Sequence, residues 1–198
     1  RTRAVPVQRP STPDALADEL ASRLASGVDL DALMSVVELV LERSVFVPHP
    51  RFFNQNFAGP DPVAVAGDWL TAVLNTNMAT YEMAPVLTVM ELEVLRRMAV
   101  AVGFRREGDD VPAHVRPGVF LPGGSMGNLH ALLLARHRVA PEADVQGLHA
   151  SGGPLAVFTS AQSHYSIAKS AMALGLGREA VRKVPCDARG RMLPQALR

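Results

Sequence analysis

The sequence predicts an α/β fold preceded by an arm of helices. Three observations carry this prediction. Before residue 103 the apolar residues recur at helical spacing, and prolines or glycines stand at the segment boundaries. From Gly118 onward, short apolar runs alternate with helical segments. A glycine turn joins the first of these runs to a helix. Such alternation is typical of a sheet with helices packed on its faces.

Composition bounds the function. The 198 residues can form the core of one ordinary domain, and 48% hydrophobic with 20% charged residues indicates a soluble globular protein. A net charge of +1 predicts no nucleic-acid partner, and no apolar run is long enough to predict a membrane span. The single cysteine, Cys186, suits a reducing compartment, so we expect a cytoplasmic protein. The basic start is not followed by the apolar segment of a signal peptide and lacks an initiator methionine, so we expect the true N-terminus elsewhere.

Four helices are predicted in the front half, starting near Pro13, Asp29, Pro62 and Pro85. Apolar residues follow one face of each helix, and Trp69 is expected in the core. Between the second and third helices lies a proline-rich loop, residues 47–62, with the sequence V-P-H-P-R-F-F-N-Q-N-F-A-G-P-D-P. A loop that carries three phenylalanines is expected to be tied down or functional.

The rear half is predicted to contain, in order, a strand, a glycine turn, a helix, a strand, a helix and a strand. The predicted strands are residues 119–121, 155–159 and 181–184, and a polar connection over 105–117 precedes the first. His164 stands just before the second helix, in the loop after a strand. Open α/β sheets place ligands in such loops.

The turn at Gly123 and Gly124 permits three interpretations. Unpaired N–H groups at the start of the following helix predict a cup for a phosphate, to which Ser125 could add its hydroxyl. The run G-G-S-M-G also fits the G-x-S-x-G pattern of serine hydrolases, with Ser125 as nucleophile. Alternatively, Ser125 only caps the helix. The pattern alone does not decide between them.

No metal site is predicted. Glu82, Glu91 and Glu93 could suggest a metal ligand or an acid–base pair. However, no histidine lies at ligand spacing, and glutamates on a helix are usually solvated.

Five blocks occur in an order and spacing that resemble a known family. They read H-P-R-F-F-N-Q-N-F-A-G, G-D-W-L-T-A-V-L-N-T-N-M-A-T-Y-E-M-A-P-V, P-G-G-S-M-G-N, F-T-S-A-Q-S-H-Y-S-I-A-K and C-D-A-R-G-R-M-L-P. They resemble the group II pyridoxal-phosphate-dependent amino acid decarboxylases, and most of all the glutamate and cysteine sulfinate branch. The resemblance runs from about Pro48 to the C-terminus.

The resemblance implies a fold-type I, transferase-like α/β architecture with pyridoxal 5'-phosphate as the cofactor. It implies a helical, dimer-forming arm with the substrate loop in residues 1–60, and the first part of the mixed-sheet cofactor domain in 61–198. Gly124 and Ser125 would bind the phosphate, and His164 would stack on the pyridine ring and serve in catalysis. Gln55 and Phe57 would line the substrate pocket. A homodimer is implied.

The implied reaction is the loss of the α-carboxylate from a small acidic amino acid, such as glutamate, aspartate or cysteine sulfinate, through a Schiff base with the cofactor. The family's cofactor lysine and pyridine-facing aspartate have no match here, and Lys169 matches a different position. The chain therefore resembles the N-terminal half, and we expect it to be inactive alone. A split enzyme with a C-terminal partner chain, a non-catalytic assembly fragment and a serine hydrolase are the alternatives.

Overall fold

A computed structural model describes residues 6–25, 27–54, 56, 59–106, 108 and 116–197. The chain divides into two compact units, Arg1–Pro85 and Val86–Arg198. We describe each unit by itself. The domain boundary expected after residue 60 stays a prediction.

The first unit begins with two capped helices, α1 (Pro13–Leu24) and α2 (Leu30–Arg43). The side chain of Thr12 accepts a hydrogen bond from the first turn of α1, and that of Asp29 does the same for α2. Such caps satisfy amide groups that have no partner inside the helix. An ion pair connects the two helices, since the carboxylate of Glu19 on α1 lies 2.9 Å from the guanidinium of Arg43 on α2.

Helix α3 (Pro62–Leu74) has clear local boundaries but no buried residue. Asp61 accepts hydrogen bonds from two backbone amides of the first turn, and Asn75 ends the helix in the left-handed conformation at φ 44°. The expectation that Trp69 is core is wrong for this chain, since 69% of its surface is exposed. Within the described residues, no element covers that face.

The second unit opens with α4 (Pro85–Ala101), which buries Leu95 and Ala99. Gly118 follows closely, and a Cβ added there would lie 3.7 Å from the Leu95 side chain. The strand expected at 119–121 is not formed. A strand requires a neighbour to bond with, and the only strands in the described part of the chain pair with each other.

Those two strands, β1 (Val157–Ser160) and β2 (Val181–Val184), run parallel, with Val157 opposite Val181 and Ser160 opposite Val184. The connection between them contains α7 (Ser166–Ala173), so the three elements form a β-α-β unit. Helix α5 (Gly124–Val139) packs against α7, and the short α6 (Ala143–Gln146) follows it. The best-buried apolar residues of this unit are small, and they include Ala140, Ala171 and Val184.

Candidate functional site

The start of α5 is an amide cup open to solvent. Gly123 precedes the helix at φ 94°, a left-handed value that favours glycine. Its carbonyl accepts hydrogen bonds from Met126 and Gly127, both at 3.2 Å. The amides of Gly124 and Ser125 have no acceptor among the described residues, and no side chain caps the helix. A Cβ built at Gly123 or Gly124 meets nothing within 4 Å, so a ligand can reach the backbone.

A cavity of about 280 Å³ lies between the first turns of α5 and α7. It is lined by Ser125, Met126, Leu129, Tyr165, Ser166, Lys169, Ser170 and Ala173. The Ser125 hydroxyl has no partner within the described part of the chain. The cavity wall therefore offers a hydroxyl donor next to the two free amides, at the positive end of a helix of 16 residues.

Lys169 adds a positive charge to the same cavity. Its ammonium lies 4.5 Å from the centroid of the Tyr165 ring, within the range of a cation–π contact. The α5 side of the cavity thus offers amide and hydroxyl donors, and the α7 side offers an ammonium group, a combination that suits an anion. A phosphate group fits that donor set.

His164 lies between β1 and α7, and its ring is exposed. The Nδ1 atom is 2.8 Å from the Ser166 hydroxyl and accepts from the Ser166 backbone amide at 3.2 Å. The ring also lies 4.0 Å, centroid to centroid, from that of Tyr165. One edge of the imidazole is thus tied to the helix start, while the Nε2 edge has no hydrogen-bond partner among the described residues.

Asn128 connects this histidine to the cup. It lies on α5 one turn after Ser125, and its side-chain amide donates to the Ser166 hydroxyl at 2.7 Å. Ser166 itself is only 1% exposed. The sequence analysis did not single out Asn128 or Ser166, although both belong to the quoted blocks P-G-G-S-M-G-N and S-H-Y-S-I. Only the packing of α5 on α7 shows that they meet.

The structure places the predicted cofactor residues Gly124 and Ser125 at the start of α5, and hydrogen bonds through Ser166 link His164 to Asn128, one turn after Ser125 on the same helix. The predicted substrate residues Gln55 and Phe57 lie outside the described residues. Asn56, between them in sequence, donates its amide to the Asn54 side chain at 3.1 Å. The roles of all five predicted site residues stay predictions.

The hydrolase alternative finds no support. No histidine bonds to Ser125 in the described part of the chain, and the Nδ1 atom of His130 lies 3.2 Å from the Met126 carbonyl instead. A nucleophile elbow holds its serine in a strained turn. Here the one described non-glycine residue at positive φ is Asn75.

Two of the three glutamates considered as metal ligands make ion pairs. Glu91 lies 3.4 Å from Arg116, and Glu93 lies 2.7 Å from Arg97. Among the described residues no three His, Cys, Asp or Glu side chains are placed to hold a metal ion. No helix in those residues has the length and apolar character needed to cross a membrane.

A second cavity, of about 370 Å³, lies beside the sheet and none of the predicted site residues lines it. Leu155 contributes from just before β1, Arg182 from β2, and Glu179 from the turn before β2. It lacks the free helix-terminal amides of the first cavity. We therefore assign the candidate site to the cavity between α5 and α7.

Comparison with known proteins shows the family of the chain. The profile described as "Pyridoxal-dependent decarboxylase conserved domain" matches residues 13–198. The cysteine sulfinic acid decarboxylase of Mus musculus is 46% identical over 173 residues, which cover 87% of this chain and 33% of that protein. The enzyme of the same name from Homo sapiens is 48% identical over 158 residues, covering 80% of this chain and 30% of that protein.

Solved structures show the same fold. The crystal structure of mouse CSAD superposes with a TM-score of 0.83 at 44% identity, over 96% of this chain and 38% of that one. The Oryza sativa TDC structure with PLP and tryptamine gives 0.81 at 25% identity, over 98% of this chain and 42% of that one. The predicted fold class is confirmed. The chain spans about one third of the length of the curated relatives.

Proposed function

The chain belongs to the pyridoxal-dependent decarboxylase family, as its motifs predicted, and we propose that it forms the phosphate-binding part of an amino acid decarboxylase, a lyase. The cofactor of this family is pyridoxal phosphate. Because the chain spans about one third of its curated relatives, the activity is proposed for the enzyme completed by the lysine-bearing remainder. That remainder could belong to the same polypeptide or to a partner chain. We call the result the assembled enzyme.

The observation that carries this proposal is the open cup at Gly124 and Ser125. Two unpaired amides, one free hydroxyl and a helix N-terminus converge beside a cavity of about 280 Å³. A phosphate accepts hydrogen bonds from all of these donors, and its charge is stabilised by the helix dipole. The residues present therefore fit the phosphate end of the cofactor.

The chain's own residues would share the work as follows. The amides of Gly124 and Ser125 hold the phosphate, and the Ser125 hydroxyl adds a third donor. His164, whose ring is exposed, would cover the pyridine ring, exclude water from that side and move a proton at Nε2. When bound, the cofactor supplies an electron sink for the pair left behind as carbon dioxide departs.

We propose a small acidic amino acid as substrate. The support is the 46% identity with a protein named cysteine sulfinic acid decarboxylase, and that name is a property of the relative. Gln55 and Phe57 are proposed to line the substrate pocket. A pocket that binds a second acid group must supply donors beyond the phosphate cup.

We also propose a homodimer. Helices α2 and α3 carry large apolar side chains that are more than half exposed, including Leu41, Val63, Trp69 and Val73. Large exposed apolar side chains on a helix face are typical of an interface. A cytoplasmic location remains our proposal, based on the single cysteine.

The cup is tested by changing one donor without changing the helix. Gly124 is the first residue of α5, where proline is well tolerated but brings no N–H group. We expect Gly124→Pro to weaken cofactor binding to the assembled enzyme by about ten- to a hundredfold, the effect of one hydrogen bond to a charged group. Titration of protein fluorescence with pyridoxal phosphate measures the dissociation constant.

Gly124→Ala is the matched control, since it keeps the amide and its Cβ points into open space. It should bind the cofactor more tightly than Gly124→Pro, because it keeps the amide donor. The cofactor dissociation constant of Ser125→Ala should lie between those of the two Gly124 variants. Equal cofactor affinities in Gly124→Pro and Gly124→Ala would contradict the proposal that the Gly124 amide binds the phosphate.

Release of carbon dioxide from cysteine sulfinate, aspartate and glutamate then tests the activity. We expect turnover by the assembled enzyme and none by this chain alone. Turnover restored by a separately expressed C-terminal chain would identify a split enzyme. If the assembled enzyme binds the cofactor but releases no carbon dioxide, the chain serves in assembly and the decarboxylase proposal fails.

A further inference from the structure

Three side chains form a continuous hydrogen-bonded line from the cup helix to the exposed imidazole. Asn128 donates to the Ser166 hydroxyl at 2.7 Å, and that hydroxyl lies 2.8 Å from Nδ1 of His164. The backbone amide of Ser166 points to the same nitrogen at 3.2 Å. Asn128 and Ser166 are 38 residues apart in the sequence.

The direction of each hydrogen bond follows from which groups can only donate. A backbone N–H always donates, so Nδ1 of His164 must be an acceptor and carries no proton. The side-chain amide nitrogen of Asn128 also donates, so it fills a lone pair of the Ser166 oxygen. The Ser166 hydroxyl proton is then left to point at Nδ1. The neutral imidazole therefore carries its proton on Nε2.

We propose that Asn128 and Ser166 are positioning residues that hold His164 in the Nε2–H form with Nδ1 turned toward α7. This proposal rests on the proposed function, because it makes Nε2 the atom that exchanges a proton beside the cofactor. It adds the source of that preference, to which the Ser166 hydroxyl and the Asn128 side-chain amide contribute beside the Ser166 backbone amide.

Burial explains why this line can control the ring. Ser166 is 1% exposed, so no water competes for its hydroxyl, and a buried donor left unpaired is costly. Asn128 is half-buried on α5, one turn beyond Ser125. A shift of the cup helix would therefore pull on the imidazole. The orientation of His164 is tied to the position of the phosphate site.

The test reads the tautomer itself. In the assembled enzyme without cofactor, labelled with ¹⁵N-histidine, the ring nitrogen shifts distinguish Nε2–H from Nδ1–H at alkaline pH, where imidazole is neutral. The His164 signals are assigned by their loss in His164→Gln. We expect Nε2–H in the wild-type protein.

Two variants change the line in different ways. Ser166→Ala removes the hydroxyl, and we expect the ratio of Nε2–H to Nδ1–H to fall by about tenfold, the effect of one hydrogen bond. Asn128→Asp keeps the shape but replaces a donor with an acceptor. The Ser166 hydroxyl then turns toward the introduced carboxylate, and we expect the ratio to shift toward Nδ1–H by at least as much. If Ser166→Ala does not fold, Asn128→Asp carries the test.

Ser170→Ala is the matched control, because Ser170 is also buried on α7, one turn later, but makes no hydrogen bond to the histidine. Its tautomer ratio should equal that of wild type. Wild-type protein in the Nδ1–H form, or an unchanged ratio in both line variants, would overturn the proposal. An equal change in Ser170→Ala would also overturn it, since the effect would then be general packing.

The outcome is separable from that of the proposed function, because the tautomer is read without cofactor or turnover. With cofactor, Ser166→Ala should lower kcat by about tenfold at unchanged KM, as expected for a misoriented proton carrier. If the protein shows the expected tautomer ratios but binds no pyridoxal phosphate, the proposed function is wrong, whereas the roles of Asn128 and Ser166 in orienting His164 are supported.

Discussion

Helices α3 and α7 show two opposite ways of making a helix. Helix α3 has 13 residues, a carboxylate cap and proline at its start, yet none of its residues is buried. Helix α7 has 8 residues and no side-chain cap hydrogen bond, yet it buries Ser166, Ser170 and Ala171. The first is specified by local signals, whereas the second depends on contacts with α5 and β2.

This difference indicates where each helix does its work. A well-capped helix with an uncovered apolar face is prepared to pack on another surface. A short helix held on several sides is suited to fix side chains precisely enough for chemistry. The candidate site accordingly includes α7, and the proposed dimer surface includes α3. Each of the following changes tests one side of this contrast.

The largest effect is expected on the uncovered face of α3. Val73 is 82% exposed, and in the proposed dimer its face is buried. Val73→Asp would place an unpaired charge in that interface, at a cost of about 3 kcal/mol or more. We expect the dimer dissociation constant of the assembled enzyme to rise by at least about a hundredfold in analytical ultracentrifugation. Val145→Asp, at an 89% exposed site on α6, should leave it unchanged. Equal behaviour of the two variants would exclude α3 from the interface.

A smaller loss is expected from overfilling α7. Ala171 is fully buried, so Ala171→Leu forces extra methylenes into a closed space and should lower the free energy of unfolding by about 1–3 kcal/mol. Ala72 is exposed on α3, and Ala72→Leu should change it by less than about 0.5 kcal/mol. Denaturant titration of the assembled enzyme measures both. A comparable cost at both sites would contradict the claim that α7 is enclosed whereas α3 is not.

The cap of α3 should contribute about 1 kcal/mol. Asp61 accepts from the amides of Val63 and Ala64 at 2.9 and 3.0 Å, so Asp61→Ala leaves these donors to water. We expect the denaturation midpoint to fall accordingly. Asp61→Asn, which keeps an acceptor oxygen, should restore most of the loss. An unchanged midpoint in Asp61→Ala would show that α3 is held by its partner surface and not by its cap.

The smallest effect concerns pH, at the far end of α5. A hydrogen bond from His137, reinforced by Arg136, holds the pKa of Asp144 below its usual value. A carboxylate with a lowered pKa stabilises the folded state at pH values above the usual carboxyl pKa. This stabilisation is lost as the pH falls through the lowered pKa. Asp144→Asn should therefore reduce Tm slightly near neutrality, and the difference should vanish in acid. Asp68→Asn, an exposed carboxylate on α3 without an ion pair among the described residues, should show no such trend. A difference that persists in acid would refute the linkage.

The boundaries of the front helices could be predicted because their signals are local. Asp61-Pro62 and Asp29 act within one turn of their own helix, so neighbouring structure changes little. The free amides at Gly124 and Ser125 were predictable for the same reason, since an unpaired helix start follows from the chain direction alone, whereas the pattern did not decide between a phosphate cup, a serine nucleophile and a simple cap. The family followed from five blocks whose order and spacing are far more specific than any single block.

The sequence by itself thus determined the caps, the amide cup, the β-α-β order and the family. Only the tertiary structure decided that residues 119–121 stay unpaired, that Trp69 is uncovered, and that Asn128 and Ser166 meet beside His164. The physical reason is range. A cap or a helix dipole acts over one turn, whereas strand pairing, burial and a hydrogen bond between residues 38 apart require segments that folding alone brings together.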